Sequence, residues 1–444
     1  MKYRLKPILG LFLTFAALTI GACTVDNSTF DYDDFEQELL DEWIKVNVPD
    51  LVDNRQSEGY YIDITEESTT STTPLMDIIA SNDECWISYN ITGYDLENNV
   101  VITRNEVTAW QQGTFYRQTH YTPIFLWVDE DDYLPEFLYN AITSELTIDG
   151  TTTSLEAGDK FTAYVPSAQI GYAATASTGY YGQSYLSSGH TLKAEIEIVA
   201  LTSDVETTEE EYIESFILNN GTLNKSTDDE DTDYTDDEVE ESNVAKESTQ
   251  GEWSNAIDNI AGLYINRTYL PTDILDFTPA YTSALSSIYT PYYLTNGVSD
   301  LEERINAALA AFMEDKEFEI DTTMTGERIG YDQTASIWYI CRTLDGFIID
   351  TNIDEVSEIV NGVPVASSNV ALTYEADDDE DDMITAWYYS IPQLRYGQWA
   401  AILTDSEYAY PDGVSASTST YGASTEIAQY TPLLFQIYIE QVDY

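Results

Sequence analysis

Between residues 383 and 413 the chain reads MITAWYYSIPQLRYGQWAAILTDSEYAYPDG. Trp, Tyr and apolar side chains crowd this stretch, and no His, Cys or glycine-rich phosphate loop interrupts them. Such a set can wall an apolar ligand and offer it a hydroxyl or indole donor. It supplies no nucleophile–base pair for covalent catalysis. The whole chain has two His, His120 and His190. They are too few for a His-rich metal site and poor material for a Ser-His-Asp triad. No cofactor and no metal is expected. Asp229, Asp231, Asp233 and Glu240 have the spacing of an EF-hand loop, but Tyr234 stands where the sharp turn needs Gly. The alternative there is a solvated charge run, as for the acidic residues 377–382.

The elements that must position the aromatic set follow from periodicity. Ile384, Trp387 and Ile391 fall at helical spacing, which predicts one short helix ending near Pro392. "QWAAILT" and "LLFQIYIEQV" alternate as strands do. In the second, Leu433, Phe435, Ile437 and Ile439 form the expected core face, and Leu434, Gln436, Tyr438 and Glu440 the other. Residues 301–318 predict an amphipathic helix with Leu301, Ile305, Ala308, Leu309 and Phe312 on one side. The Tyr-rich residues 279–293 before it read as a long packed loop. Residues 206–221 read as a short helix ended by Gly221. Residues 226–250 are acid-rich and nearly devoid of apolar side chains, so they cannot bury enough surface to fold alone. A linker is expected over 203–250.

The chain opens with basic "MKYRLK", an apolar run and then "IGAC". Residues 1–22 read as a secretory leader. "IGAC" resembles a bacterial lipobox, which implies lipidation of Cys23; an ordinary cleaved leader is the alternative. A lipid chain contributes about 0.8 kcal/mol per buried CH₂, so a multiply acylated Cys holds stably. The expected location is the cell envelope, lipid-anchored at the outer membrane. Residues 23–56 read as an acidic tether and helix, resembling the export tags of Bacteroidota-like surface lipoproteins. Net charge is −63, from 80 acidic and 17 basic residues, which argues against nucleic acid as a partner. Cys85 and Cys341 are expected as buried free thiols rather than a disulfide.

Two halves of the chain repeat four segments in the same order. "SEGYYIDIT" pairs with "IAGLYINRT", and "ITGYDLENNVVIT" with "ICRTLDGFIID". "LEAGDKFTAYVPSAQIGY" pairs with "LRYGQWAAILTDSEYAY", and "HTLKAEIEIVAL" with "TPLLFQIYIEQV". The second half resembles an FKBP-type peptidyl-prolyl isomerase domain through "YICRTLDGFIID", "MITAW", "GQWAAILTDSEYAYP" and "YTPLLFQIYI". The resemblance spans about 110 residues, 335–442. It implies an α+β fold of two tandem FKBP-like domains, 57–202 and 251–444, each a curved antiparallel sheet wrapped on a short helix. The second would carry a helical insertion near its start.

The resemblance also implies a pocket. Tyr339, Asp350, Trp387, Tyr410 and Phe435 take the catalytic positions, and Ile349, Met383 and Ile384 contact substrate. Ile349 replaces the family's phenylalanine, and Pro411 the glycine after "AY". In the first half Thr92, Thr103 and Ala194 stand for Tyr339, Asp350 and Phe435, and only Tyr172 survives. The implied activity is proline isomerisation or chaperoning of proline-containing polypeptides. A non-catalytic surface lipoprotein that binds protein or glycan is the alternative.

Overall fold

Runs of Val, Ile, Thr and aromatic residues assemble two mainly antiparallel sheets, which helices cover, so the fold class is α+β. The computed structural model describes residues 32–69, 71–103, 134–170, 191–224, 251–257, 261–271, 292–318, 334–361, 371–375, 383–414 and 427–441, with a few short stretches between them. The leader, Cys23, His190, Tyr172, the EF-hand-like spacing and the 377–382 acidic run lie outside the described residues. No described helix is long and apolar enough to cross a membrane.

The first half contributes α1 (Tyr32–Asn47), β1 (Tyr61–Glu66), α2 (Leu75–Ser81), β2 (Trp86–Tyr94), β3 (Val100–Thr103), β4 (Phe125–Trp127), α3 (Glu136–Thr143), β5 (Lys160–Val165) and β6 (Leu192–Thr202). Its six-stranded sheet runs β1-β5-β6-β2-β3, with β4 also on β2. Helix α3 starts after Pro135, whose fixed φ suits a helix entrance. Its Phe137, Leu138, Ala141 and Ile142 are buried on one side. They pack on Tyr89 and Ile91 of β2, Phe161 and Ala163 of β5, and Ile196 and Ile198 of β6. Burying each large apolar side chain contributes roughly 1.5–3 kcal/mol. Strand alternation sends Asn90 and Thr92 to the opposite, outer face. There α1 covers one end of the sheet, with Leu40 and Ile44 against Tyr61 and Tyr164.

The second half contributes α4 (Val205–Asn220), β7 (Thr222–Asn224), β8 (Glu252–Asn255), β9 (Leu263–Asn266), α5 (Tyr292–Asp315), β10 (Thr334–Thr343), β11 (Ile348–Thr351), α6 (Asp354–Asn361), β12 (Leu372–Glu375), α7 (Thr385–Ser390), β13 (Trp399–Thr404) and β14 (Leu433–Gln441). Its eight-stranded sheet runs β11-β10-β14-β13-β9-β8-β7, with β12 also on β10. Read from β3, the first sheet has the same strand order, including the side pairing of β4 on β2. A β-bulge also recurs, between Gly93 and Tyr94 in one sheet and between Cys341 and Arg342 in the other.

Both faces of the second sheet are cores. Ala335, Ile337, Cys341, Phe435 and Ile437 face α7, while Trp338, Ile340, Trp399, Leu434 and Tyr438 lie among side chains of α4, α5 and α6. Leu434 and Tyr438, expected on the outer face of an open sheet, are therefore buried. Helix α5 begins at Tyr292, ahead of the expected Leu301, and takes in the end of the stretch expected as a loop. Its Ile305, Leu309 and Phe312 are buried as their spacing predicts. Helix α6 had no sequence expectation.

The start of the expected linker is also core. Asp204 caps α4 by accepting from the Thr207 amide at 3.0 Å. Ile213, Phe216 and Ile217 of α4 pack with Trp253 and Tyr264, and β7 joins the second sheet in parallel with β8. The apolar stripe within this acidic helix outweighs its surface composition. Cys85 and Cys341 are buried free thiols, as expected.

Candidate functional site

The aromatic stretch becomes α7 between two chain reversals. Ile384 is extended at the helix entrance, and the Trp387 and Tyr388 amides donate back to its carbonyl. The Ala386 amide donates to the Tyr408 carbonyl at 2.7 Å, which ties the helix to the loop after β13. Pro392 lacks an amide hydrogen, and the helix passes there into a 3₁₀ turn, Ile391–Gln393. This short helix places the Trp387 indole over β10 and β14.

Trp387 meets both neighbouring rings edge-on. Its ring centre lies 5.4 Å from that of Tyr339 at 74°, and 5.5 Å from that of Phe435 at 81°. Edge-to-face pairs of this kind contribute about 0.5–1.5 kcal/mol beyond burial. Strand register sets the arrangement, because Cys341 lies opposite Asp350 on one side and Phe435 on the other. Two residues earlier, the Tyr339 hydroxyl donates to Asp350 Oδ2 at 2.6 Å. Asp350 Oδ1 accepts from the Thr351 amide at 2.8 Å. Trp387 and Phe435 form the buried floor, at 5% and 2% exposure. Ile349 is buried in the same cluster, and Tyr339, Met383, Ile384 and Tyr410 pack half-buried against it. The indole Nε1 of Trp387 is buried with no hydrogen-bond partner among the described residues.

Electrostatics leave the two tyrosines as donors at neutral pH. Burial, then the neighbouring Cys341 and the Asp350 charge, push the Tyr410 hydroxyl up to about 12. Burial and then Asp350 raise Tyr339 further. Burial also holds the Cys341 thiol well above its usual value, so it is a neutral wall and no nucleophile.

Pro411 is exposed, and the left-handed position falls at Gly413, with φ of 68°. The Gly413 amide donates to the Tyr410 carbonyl at 2.9 Å. Val414 and Ile427 then pair and pack against the Trp387 cluster. Most of the intervening residues lie outside the described ones.

Sequence reasoning missed several contributors. Phe347, Tyr389, Tyr396 and Tyr408 join the cluster. Glu209 of α4 is also missed: it accepts from Ser406 Oγ at 2.7 Å and from the Ser406 amide at 3.3 Å, in the loop leading to Tyr410. No local pattern announces a contact between residues so far apart in sequence.

Among the described residues the first half has no equivalent cluster, and the expected counterparts Thr92 and Thr103 are off by one. Gly93 lies opposite both Ala194 and Ile102, as Cys341 lies opposite Phe435 and Asp350. Ile91 and Ile102 therefore hold the positions of Tyr339 and Asp350. Thr92 and Thr103 belong to the outer face, with their hydroxyls 3.4 Å apart. The shared bulge fixes this register, and a shift of one residue turns a side chain to the other face. Ala194 does face α3, where Phe435 faces α7.

No protein family and no curated protein matches the chain. Among solved structures, the crystal structure of the three FKBP domains of wheat FKBP73 is similar over 87% of this chain and 95% of that chain, at 10% identity and a TM-score of 0.22. A peptidyl-prolyl cis-trans isomerase from Pseudomonas syringae pv. tomato is similar over 33% of this chain and 96% of that chain, at 17% identity and a TM-score of 0.19. TM-scores this low carry no argument about fold or activity.

Proposed function

We propose that the Trp387 cluster is a proline pocket in an FKBP-like unit, and that the protein is a two-unit, lipid-anchored envelope isomerase or chaperone. The observation that carries the reading is Trp387 set edge-on between Tyr339 and Phe435, with Tyr339 held by Asp350. The shared strand order of the two sheets supports tandem units. An X-Pro bond isomerises over tens to hundreds of seconds because its C–N bond has partial double-bond character. Speeding it requires no nucleophile, metal or cofactor, only a site that holds the twisted amide better than the planar one. Trp387, Phe435, Ile349, Met383 and Ile384 hold the proline ring. Tyr410 donates to a substrate carbonyl as the amide twists. Asp350 positions Tyr339. The clients are exported polypeptides containing proline, and the anchor is Cys23 at the outer membrane.

The second reading is a non-catalytic binder of protein or glycan. It is favoured by the first half, where Ile91, Ile102 and Ala194 stand at the positions of Tyr339, Asp350 and Phe435. Proline-isomerisation kinetics on a tetrapeptide, with the chain lacking its leader, separate the two. Acceleration lost in both Trp387→Ala and Tyr410→Phe supports catalysis. A folded wild-type chain that accelerates nothing leaves the binder.

A further inference from the structure

Helix α1 has two apolar edges, and the first sheet takes one of them. Leu40 and Ile44 are buried against Tyr61 and Tyr164. Phe35, Leu39, Trp43 and Val46 recur at the same spacing of three or four residues, one edge further round the helix. Phe35 is 40% exposed, Leu39 55% and Val46 76%. Trp43 joins the two edges, half-buried with its ring 5.6 Å from that of Tyr164. Val52, in the turn that follows, is 39% exposed. Of the seven large apolar side chains exposed among the described residues, four therefore fall within residues 35–52. Scattered exposed apolar residues are ordinary, whereas a grouped stripe marks a surface that something covers.

The outward stripe does not come from a loosely seated helix. Glu36 is buried and accepts from the Ser167 amide at 2.9 Å and from the Ser167 and Thr191 hydroxyls. Gln37 Nε2 donates to the Gly59 carbonyl at 2.9 Å, and Asp41 Oδ1 accepts from the Tyr61 hydroxyl at 2.9 Å. These bonds fix the rotation of α1 about its axis, so Phe35, Leu39 and Val46 are held toward solvent. Position in the chain says what lies opposite them. Tyr32 follows Cys23 by nine residues, and a chain of that length reaches at most about 30 Å. A lipid on Cys23 keeps α1 within that distance of a bilayer. Tethering over so short a span gives an effective concentration near millimolar, so a stripe too weak to bind lipid from solution suffices to lay the helix on the surface.

We propose that the Phe35–Leu39–Trp43–Val46 stripe of α1 docks on the surface of the bilayer that the Cys23 anchor enters, holding the first half against the membrane. The proposal rests on the lipid anchor at Cys23 and not on the isomerase reading. Phe, Leu and Trp settle at the boundary of headgroups and acyl chains, and an interfacial helix enters it by only about 5–10 Å. The bilayer that suits this stripe is zwitterionic. Glu38 and Glu42 are exposed on the same helix and the net charge is −63, so an anionic surface repels the chain. A second copy of the chain fits less well. Each α1 would bring Glu38 and Glu42 to the contact, and its one lysine, Lys45, already pairs with Glu42 at 2.7 Å.

The test holds the chain on phosphatidylcholine vesicles through an amino-terminal hexahistidine, in place of the leader and Cys23, bound to nickel-chelating lipid. Val46→Cys carries the environment-sensitive dye NBD, and Cys85 and Cys341, both buried, stay unlabelled. The expected result is a blue shift and brightening of NBD on vesicles, lost when doxyl-labelled lipid is added. Phe35→Ser with Leu39→Ser, both at exposed positions, abolishes the change. The same dye at Leu218→Cys, exposed on α4, stays unchanged. Phosphatidylglycerol in the vesicles weakens the signal at Val46. No change at Val46, an equal change at Leu218, or a stronger signal on phosphatidylglycerol overturns the docking. Brightening without vesicles that grows with protein concentration overturns it in favour of a second copy. Because hexahistidine replaces the lipid, these arms do not depend on Cys23. Mass spectrometry of the amino-terminal peptide of the full chain from envelope membranes tests the anchor separately. An acylated Cys23 with a silent Val46 overturns the docking alone, and an unacylated Cys23 overturns anchor and docking together.

Discussion

At the scale of single residues, the cluster separates side chains that hold the fold from those available to a ligand. Phe435 is 2% exposed between Trp387 and the strand register of Cys341. Phe435→Ala should destabilise the protein by about 3–5 kcal/mol, read from urea unfolding, because it leaves a cavity beneath the packed Trp387 ring. Tyr339→Phe should cost only about 1 kcal/mol, because Asp350 is exposed and water replaces the lost donor. Equal losses from the two changes would contradict this division. The identities of Trp387, Tyr410 and Phe435 as one group were legible in motif order. The first-half counterparts were not, because a bulge decides which of two adjacent residues faces the helix and the two have similar sequence contexts.

At the scale of elements, α4 is held against the loop that carries Tyr410 by a buried carboxyl. Burial raises Glu209 to about 8, against an ordinary value of 4.5, with Ser406 opposing and Asp405 adding to the rise. Burial likewise raises Asp405 to about 7 from 3.8. A raised value in the folded state means that folding favours the proton. The contribution of Glu209 is therefore full below its unfolded value of 4.5, declines as pH rises toward about 8, and is level above. Thermal melts between about pH 5 and pH 9 should show stability falling with pH. Glu209→Gln keeps an acceptor for Ser406 and should flatten that slope. A slope unchanged by the substitution would assign the pH dependence elsewhere. The helix itself was legible as a short helix ended by Gly221, though within an expected linker. Its docking was not, since its partner Ser406 is distant in sequence.

At the scale of the whole molecule, the two halves touch through specific groups. His120 Nε2 lies 2.8 Å from the buried Asp345 Oδ2, and its ring stacks on Phe347 at 4.7 Å. Asp345 sits in the β10–β11 turn, where Gly346 adopts a φ of 90°. Trp86 meets Tyr430 edge-on at 5.5 Å. A double-mutant cycle of His120→Ala and Asp345→Asn should return a coupling of about 0.5–3 kcal/mol in unfolding stability. Additive losses would mean that the pair contributes nothing jointly. Two lone His residues carry no sequence signal of such a contact.

The sequence alone determined the local elements and the residue types on offer to a site. With two His and a net charge of −63, the expectation rested on the aromatic, donor-bearing side chains of residues 383–413. Strand alternation and helical spacing act between near neighbours, so β14, α5 and α7 were readable from the chain itself. Only the tertiary structure decided what covers each face. The same alternation that marks Leu434 and Tyr438 as outward is satisfied by solvent or by helices, and α4, α5 and α6 decide for burial. Among the described residues, α1 and the turn bearing Leu51 cover one end of the first sheet's outer face, and Asn90 and Glu197 line a cleft beside them. Burial and register are sums over distant segments, and no window of sequence contains them.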